Sequence, residues 1–277
     1  MRGLNKMLRR RNIVALLGLL LPVLSISLVL GADNFNQVEV KTKVDPDKPP
    51  LEKGKGNIYV LDFRFKAPRL IKVDIPGRGT RICWYLWYQV INNPPPLGRG
   101  SKDSVTFIPR FELVTQDDDN PRVFHDEVLP KVQEAVNRIE NPSNADYLEA
   151  KNSVTISATP IPPSKPDAYP IAVTGVAIWD ASPADPKKRD SKKKDLSDAN
   201  RFSIFVSGLS NGWVITDPPP GKKDAKPVVR RKTLQLNFKR IGDRFNMDSR
   251  DISFVPPAEW MYRASTLKFE DDAADEK

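Results

Sequence analysis

The chain has 277 residues, of which 39% are hydrophobic and 29% charged, and its formal net charge is +9. Five basic residues precede Ile13, and without them 39 Lys and Arg remain beside 35 Asp and Glu, a net charge of +4. That ordinary surface charge argues against nucleic acid as a partner. The length allows one large domain or two modest ones.

The N-terminal region predicts a membrane anchor. Residues 13–32 contain no charge, and as a helix they would span about 30 Å, the thickness of one hydrocarbon core. The basic residues before them and Asp33 after them place the remainder outside the cytoplasm. A signal peptide cleaved near Ala32 would instead give a secreted protein. The long apolar stretch and the bulky Leu30 at the cleavage motif favour an uncleaved anchor.

Composition divides the rest of the chain into three parts. Residues 33–56 are polar and rich in Lys and Pro, which predicts a spacer. Residues 57–264 predict a β-sandwich domain, with two related halves as one option. Residues 265–277 are acidic and predict a disordered tail.

The domain begins with a predicted meander, in which three successive antiparallel strands at 59–65, 69–75 and 81–93 pair in chain order, the last two joined by a turn at 76–79. The third strand is apolar on both of its alternating faces, so we expect it to lie at the centre of the fold, covered from both sides. Its aromatic residues are interpreted as core residues: Trp84, Tyr85, Trp87 and Tyr88. The single cysteine, Cys83, has no partner for an internal disulfide and is interpreted as a buried structural residue.

One helix is predicted at about 127–140, with Asp126 as its N-cap and an apolar stripe that packs on the sheets. Further strands are predicted at 105–108, 110–115, 153–158, 171–179, 201–207, 213–216, 228–238 and 251–255. Many short strands with one helix predict a mainly β fold. The expected architecture is an immunoglobulin-like antiparallel β-sandwich with one packed α-helix, preceded by the N-terminal transmembrane or signal helix.

No catalytic, cofactor-binding or metal-binding residue is predicted. The only histidine, His125, has no second histidine or nearby cysteine to form a zinc site or a Ser-His-Asp arrangement. The acidic run 117–119 lacks the spacing and glycine of a calcium loop, so we interpret it as a turn.

A basic loop is the sharpest candidate for an interaction site, although flanking aspartates also fit a simple solvated loop. It could contact anionic lipid headgroups, a polyanionic wall polymer or nucleic acid. Its basic residues are Lys187, Lys188, Arg189, Lys192, Lys193 and Lys194. If function is local, we expect it on the loops 94–103, 180–200 and 217–227.

Five segments together resemble uncharacterised membrane-anchored envelope proteins of planctomycete-type bacteria, over about residues 57–266. These segments are 68–80, 84–92, 107–115, 201–212 and 229–238. More loosely, an aromatic strand that ends in Val-Ile-Asn, followed by a strand with Phe-Glu-Leu-Val-Thr, resembles bacterial immunoglobulin-like surface domains. The resemblance implies a bacterial envelope protein and transfers no activity or site.

These observations predict an extracytoplasmic, membrane-anchored structural or interaction module of the bacterial cell envelope, with an unknown protein or cell-wall partner. Two alternatives stay open. Carboxylates such as Asp62, Asp74 and Glu112 could support a hydrolase, because paired carboxylates suffice for glycoside chemistry. A glycan-binding module could use Trp84 or Trp87 as a stacking platform.

Overall fold

The computed structural model describes residues 36–37, 58–117, 119–181, 196–216, 227–241 and 252–264. The predicted anchor at 13–32, the basic loop at 187–194, the loop residues 217–226 and the tail at 265–277 lie outside the described residues. So does the predicted spacer at 33–56, apart from the short strand at Asn36–Gln37. Within the described residues, no helix is long and apolar enough to span a membrane.

The fold is mainly β, with antiparallel sheets and two α-helices. The strands are β1 (Asn36–Gln37), β2 (Asp62–Phe65), β3 (Arg69–Ile75), β4 (Gly79–Ile91), β5 (Val105–Thr106), β6 (Arg110–Thr115), β7 (Val123–His125), β8 (Pro160–Ile161), β9 (Ala172–Asp180), β10 (Arg201–Ser207), β11 (Trp213–Thr216), β12 (Val228–Arg240) and β13 (Ile252–Ala264). The helices are α1 (Pro130–Glu140) and α2 (Ser153–Ser157), and short 3₁₀ helices occur at Asp146–Leu148 and Leu196–Asp198.

The first sheet is built around β4, as predicted for residues 81–93. Strand β9 pairs along one edge of β4. Strands β2 and β3 pair end to end along the other edge, with β2 opposite residues 88–91 and β3 opposite 79–85. The predicted meander is therefore wrong in one respect, because β2 and β3 both pair with β4 and not with each other. Pro68 lies between them and cannot donate a ladder hydrogen bond.

The second sheet has the order β13, β12, β10, β6, β7. Strand β12 is its long member, as β4 is in the first sheet. Strand β11 pairs with residues 228–231 of β12, and β10 pairs with residues 233–239. Each sheet therefore has one 13-residue strand with a continuous partner on one edge and two shorter partners on the other.

The two sheets share one hydrophobic core. Side chains from β4 and β9 in the first sheet and from β6, β10 and β12 in the second form a single buried cluster. The ring of Trp84 lies 5.0 Å from that of Phe202 in the opposite sheet, and Phe65 lies 5.9 Å from Phe238. Because aromatic side chains bury large areas, these contacts dominate the packing between the sheets.

Helix α1 covers the outer face of the first sheet, so β4 is buried on both sides. A second cluster joins Val132 and Val136 of α1 to Cys83, Tyr85 and Trp87 of β4. The last residue of α1, Glu140, accepts hydrogen bonds from Lys66 Nζ at 2.9 Å, Arg69 Nη1 at 2.7 Å and Tyr85 Oη at 2.8 Å. A buried charged anchor therefore fixes the end of α1 on the sheet.

The predicted helix at 127–140 is present but begins at Pro130, and Asp126 is not its N-cap. The N-cap is Leu129, which makes no side-chain capping bond. Proline disfavours the α conformation in the residue before it, so the helix can begin only at Pro130. The Asp126 carboxylate instead accepts a hydrogen bond from Ser153 Oγ.

The predicted strand at 153–158 is wrong, because Ser153–Ser157 forms α2. The β-branched residues in this stretch favour a strand. However, the Asn152 side chain accepts hydrogen bonds from the backbone nitrogens of Val154 and Thr155 at 3.0 and 2.9 Å. This N-cap outweighs the local strand propensity over a helix of one turn.

Several predicted strand lengths differ from the structure, and the strand predicted at 59–65 is shortened to β2. The predicted strand at 105–108 is shortened to β5, which pairs with β8. Strand β13 extends from Ile252 to Ala264, well beyond the predicted 251–255. Pro256 and Pro257 would be expected to end the strand. Instead, β13 continues, and its pairing register with β12 shifts at this point, between Gln235 and Asn237 of β12. A bulge tolerates residues that cannot donate to the ladder.

Candidate functional site

The outer face of the second sheet is the most distinctive surface of the described residues. Side chains alternate along a strand, so Leu234, Leu236 and Phe238 point into the core and the residues between them point outward. The strand pairings then bring six outward side chains from five strands to one end of this face. We call this set the arginine face: Arg110, Phe205, Trp213, Arg231, Met261 and Arg263.

The register of the sheet fixes the geometry of the arginine face. Arg231 of β12 lies directly opposite Arg263 of β13 on one side and Trp213 of β11 on the other. Two residues further along β12, Thr233 lies between Met261 of β13 and Ser207 of β10. Ser207 in turn lies opposite Arg110 of β6. Three guanidinium groups therefore project from three strands on the same side of the sheet.

Electrostatics at the arginine face favour an anionic contact. Burial lowers the pKa of Arg110, and the nearby positive charge of Arg231 lowers this pKa further. Like charges placed directly opposite each other across a strand pair, as in Arg231 and Arg263, are destabilising. A negative group bound between the arginines would relieve this repulsion.

Arg263 already has one anionic neighbour. Its guanidinium donates to the carboxylate of Glu112 and lies 4.1 Å above the ring of Phe205. Burial lowers the pKa of Arg263. Glu112 thus neutralises the arginine of the edge strand β13, and Glu259 lies opposite Gln235 on the same face.

Apolar groups lie next to the arginines. Ile215 and Val229 are paired across β11 and β12 and are 44% and 50% exposed. Trp213 is half-buried, whereas the other four tryptophans are at most 5% exposed. Protein interfaces are enriched in Arg, Trp, Phe and Met, so this composition is typical of a contact surface.

A polar network continues along the same face toward the opposite end of the sheet. Ser203 Oγ donates to Asn237 Oδ1 and accepts from Gln116 Nε2, both at 2.6 Å. Gln235 Nε2 donates to Asn237 Oδ1 at 2.8 Å. These side chains donate and accept hydrogen bonds among themselves, so this part of the face is a rigid polar surface.

An open pocket of about 540 Å³ lies beside α1 and is lined by amides and carboxylates. Its amides hold the loop after α1. Gln133 Nε2 donates to the carbonyl of Ala150 at 2.8 Å, and Asn137 Oδ1 accepts from the nitrogen of Ala150 at 2.8 Å. Asn141 bonds both backbone groups of Ala145. Because these polar groups serve the loop itself, the pocket is better explained by local structure than by a ligand.

The structure does not bring together the carboxylates considered for a hydrolase. Asp62 lies opposite Ile91 and Asp74 opposite Thr80, so eleven residues of β4, about 36 Å, separate their positions. Glu112 lies on the other sheet and contacts Arg263. Paired glycosidase carboxylates are about 5–10 Å apart, so Asp62 and Asp74 cannot act as such a pair.

The other residues singled out in the sequence lie apart from one another. His125 is exposed at the end of β7, and Asp117 accepts hydrogen bonds from the backbone nitrogens of Asn200 and Arg201 at 2.8 and 2.9 Å. The core aromatics lie in the interior of the domain. All four are at most 2% exposed: Trp84, Tyr85, Trp87 and Tyr88. Neither Trp84 nor Trp87 therefore presents a ring to a sugar. The basic loop Lys187–Lys194 lies outside the described residues.

The arginine face was not predicted from the sequence. Arg110, Trp213, Arg231 and Arg263 are far apart in the chain, and only the pairing of five strands brings them together. The one local signal is strict alternation in β12, which predicts that Arg231 and Gln235 share a face. This alternation does not predict which strands lie beside β12.

Within the described residues, no group of three or more His, Cys, Asp or Glu is placed to hold a metal ion. Comparison with protein-family models, with curated proteins and with solved structures found no match.

Proposed function

We propose that this protein is an extracytoplasmic, membrane-anchored interaction module of the bacterial cell envelope. In this proposal residues 13–32 anchor the chain, residues 33–56 are a spacer, and the β domain binds a protein or cell-wall partner through the arginine face. The basic N-terminus and the uncharged segment after it support the anchor. The resemblance to planctomycete-type envelope proteins supports the location.

The observation that carries the binding role is the arrangement of three arginines with Trp213 on the outer face of one sheet. A sheet face of this composition is suited to a macromolecular contact, whereas small-molecule sites are concave and mostly apolar. Arg and Trp are also the residues most enriched among those that dominate binding energy. The domain would therefore bind a partner with a negatively charged surface.

We further propose that the domain is an immunoglobulin-like sandwich. Matching β2 and β3 with strand A, β4 with B and β9 with E gives the order A-B-E in the first sheet. Matching β6 with C, β10 with F and β12 with G gives C-F-G in the second, which is the immunoglobulin arrangement. The contact between Trp84 and Phe202 then joins strands B and F, which antibody domains link by a disulfide.

The proposed binding role can be tested by the size of the complex solubilised from envelopes with a mild detergent. We expect the wild-type chain to elute with a partner, at a larger size than the purified chain in the same detergent. The variants Trp213→Ala and Arg231→Glu should elute at the smaller size. Arg138→Glu, which changes an exposed arginine on α1, is the matched control and should keep the larger size.

Elution of the wild-type chain at the size of the purified chain would contradict the binding role. So would a large complex that both arginine-face variants leave unchanged. The proposed anchor has a separate test, the mass of the mature N-terminus. An N-terminus near Asp33 would mean that the segment is a cleaved signal peptide.

A further inference from the structure

A carboxylate points into the space between the two sheets where the chain leaves β7. The backbone nitrogen of Asp126, the residue after β7, donates to the carbonyl of Phe111 at 3.3 Å. Residues opposite each other on an antiparallel pair project to the same face, and Phe111 projects into the core. Ser153, the first residue of α2, donates its hydroxyl to the Asp126 carboxylate. The end of β7 and the start of α2 therefore meet through these two side chains.

The hydroxyl of Tyr88 lies at the inner end of the same place. It is completely buried and has no hydrogen-bond partner among the described residues. The Tyr88 side chain crosses Gly175 of β9, because a Cβ added at Gly175 would be 2.4 Å from both Cζ and Oη. Lys151, two residues before Ser153, forms a β-bridge with the same Gly175. The Tyr88 hydroxyl is therefore directed toward the start of α2.

Electrostatics support the proximity of these groups. Burial raises the pKa of Tyr88 well above its usual value, and the negative charge of Asp126 raises it further. Burial also raises the pKa of the Asp126 carboxyl, whereas the hydrogen bond from Ser153 lowers it. In the described part of the chain, the one positive group that lowers this pKa is the exposed His125. A partly buried carboxylate is costly unless a cation pairs with it.

We propose that Asp126, Ser153 and Tyr88 form a binding site for a small monovalent cation. Carboxylate and other oxygen ligands suit hard cations, and water can supply the remaining ligands. Ser153 keeps its lone pairs after it has donated its proton, and the Tyr88 hydroxyl can also accept. One carboxylate balances one positive charge, whereas a divalent ion would leave a net charge of +1 between the sheets. Asp126 and Ser153 are partly exposed, so an ion can enter from the solvent.

A bound cation would connect three elements of the fold. Tyr88 belongs to β4 of the first sheet, Asp126 follows β7 of the second, and Ser153 begins α2. Because the unfolded chain does not bring these oxygens together, binding should stabilise the folded state. The proposal goes beyond the envelope role and does not depend on it, since it requires no partner and no residue of the arginine face.

Thermal unfolding tests the site, with the full-length chain in detergent and Na⁺ as the probe. The Na⁺ concentration is varied at constant ionic strength and constant chloride, with tetramethylammonium as the replacement cation. We expect Tm to rise and then saturate, by about 3–6 °C once Na⁺ is about tenfold above its Kd. Constant ionic strength keeps general screening of surface charges unchanged.

Three variants separate the site from a general salt effect. Asp126→Asn can still accept a hydrogen bond from Ser153 but carries no charge, and should abolish the Na⁺ response. Tyr88→Phe removes only the hydroxyl and should weaken the response. Asp74→Asn is the matched control, because Asp74 is exposed and also accepts from a hydroxyl, that of Thr80. It should keep the full response.

A wild-type Tm that does not change with Na⁺ would overturn the proposal. So would a Na⁺ response of equal size in Asp126→Asn and the wild type. A response to Ca²⁺ at the same concentration that exceeds the response to Na⁺, and that Asp126→Asn abolishes, would overturn the assignment to a monovalent cation.

Discussion

Glu140 accepts a hydrogen bond from Lys66 Nζ at 2.9 Å, and both side chains are almost completely buried, with 2% and 8% exposure. Lys66 also lies 4.3 Å above the ring of Trp87. The pair links the C-terminal end of α1 to the segment between β2 and β3. It therefore ties the helix to the outer face of the central strand.

Replacing Glu140 by Gln should lower the free energy of unfolding by about 3–5 kcal/mol, because the buried Lys66 would lose the carboxylate with which it is paired. Urea unfolding followed by tryptophan fluorescence measures this change. Glu134→Gln on the same helix is the control. Its partners Lys131 and Arg138 are exposed, so we expect a far smaller effect. Equal stability of Glu140→Gln and the wild type would show that the pair contributes little.

Trp84 is a second structural anchor, because its ring connects the two sheets. Trp84→Ala removes a fully buried side chain that packs on Phe202 at 5.0 Å, and should cost about 3–5 kcal/mol of stability. Thermal and urea denaturation provide the measurement, with the half-buried Trp213→Ala as the comparison. An unchanged melting temperature for Trp84→Ala would contradict the central position of β4.

Cys83 should make stability depend on alkaline pH. Burial raises the pKa of its thiol from 9.0 to about 12. Between these two values the unfolded chain loses the thiol proton and the folded chain keeps it, so stability falls as the pH rises. Cys83→Ala should make this alkaline fall shallower without abolishing it, because burial also raises the pKa values of Tyr85 and Tyr88. Urea unfolding across the alkaline range measures the difference.

The accessibility of the same thiol is an independent check. A thiol reagent should modify Cys83 only as fast as the domain unfolds, because the thiolate is the reactive form and the side chain is fully buried. Equally rapid modification of folded and urea-unfolded protein would contradict this burial.

Gly175 is predicted to be intolerant of substitution. It lies opposite Tyr88 in the first sheet, and an added Cβ would be 2.4 Å from Cζ and Oη of that side chain. Gly175→Ala should therefore cost about 1–3 kcal/mol through overpacking of the core. In Gly212→Ala the nearest atom, Ser210 Oγ, would be 3.3 Å away, so this variant is the milder control. Similar stability of the two variants would contradict the packing at Tyr88.

Much of this fold follows from local sequence patterns. The two-sided apolar pattern at 81–93 predicts a covered central strand, and β3, β6, β10 and β11 have their predicted bounds. These signals are local, because the alternation of apolar and polar residues within a strand indicates which of its faces is buried. The same is true of the apolar stripe that packs α1 on the sheet.

The sequence failed where a non-local or single-residue effect decides the structure. Asn152 caps a helix in a stretch that reads as strand, and a bulge carries β13 past two prolines. The arginine face and the Glu140 anchor both depend on which strands are neighbours. Such neighbours cannot be inferred from the alternation of any one strand.

Photocrosslinking in intact envelopes would show whether a partner binds at the arginine face. A photoreactive residue placed at Ile215, beside the arginine face, is compared with one at Val154 on α2, which is 64% exposed. A crosslink within one chain adds no mass, so a mass-shifted product reports a partner. We predict a discrete product from Ile215 that Arg231→Glu removes, and none from Val154. The same products from both positions, or none from either, would contradict a partner bound at the arginine face.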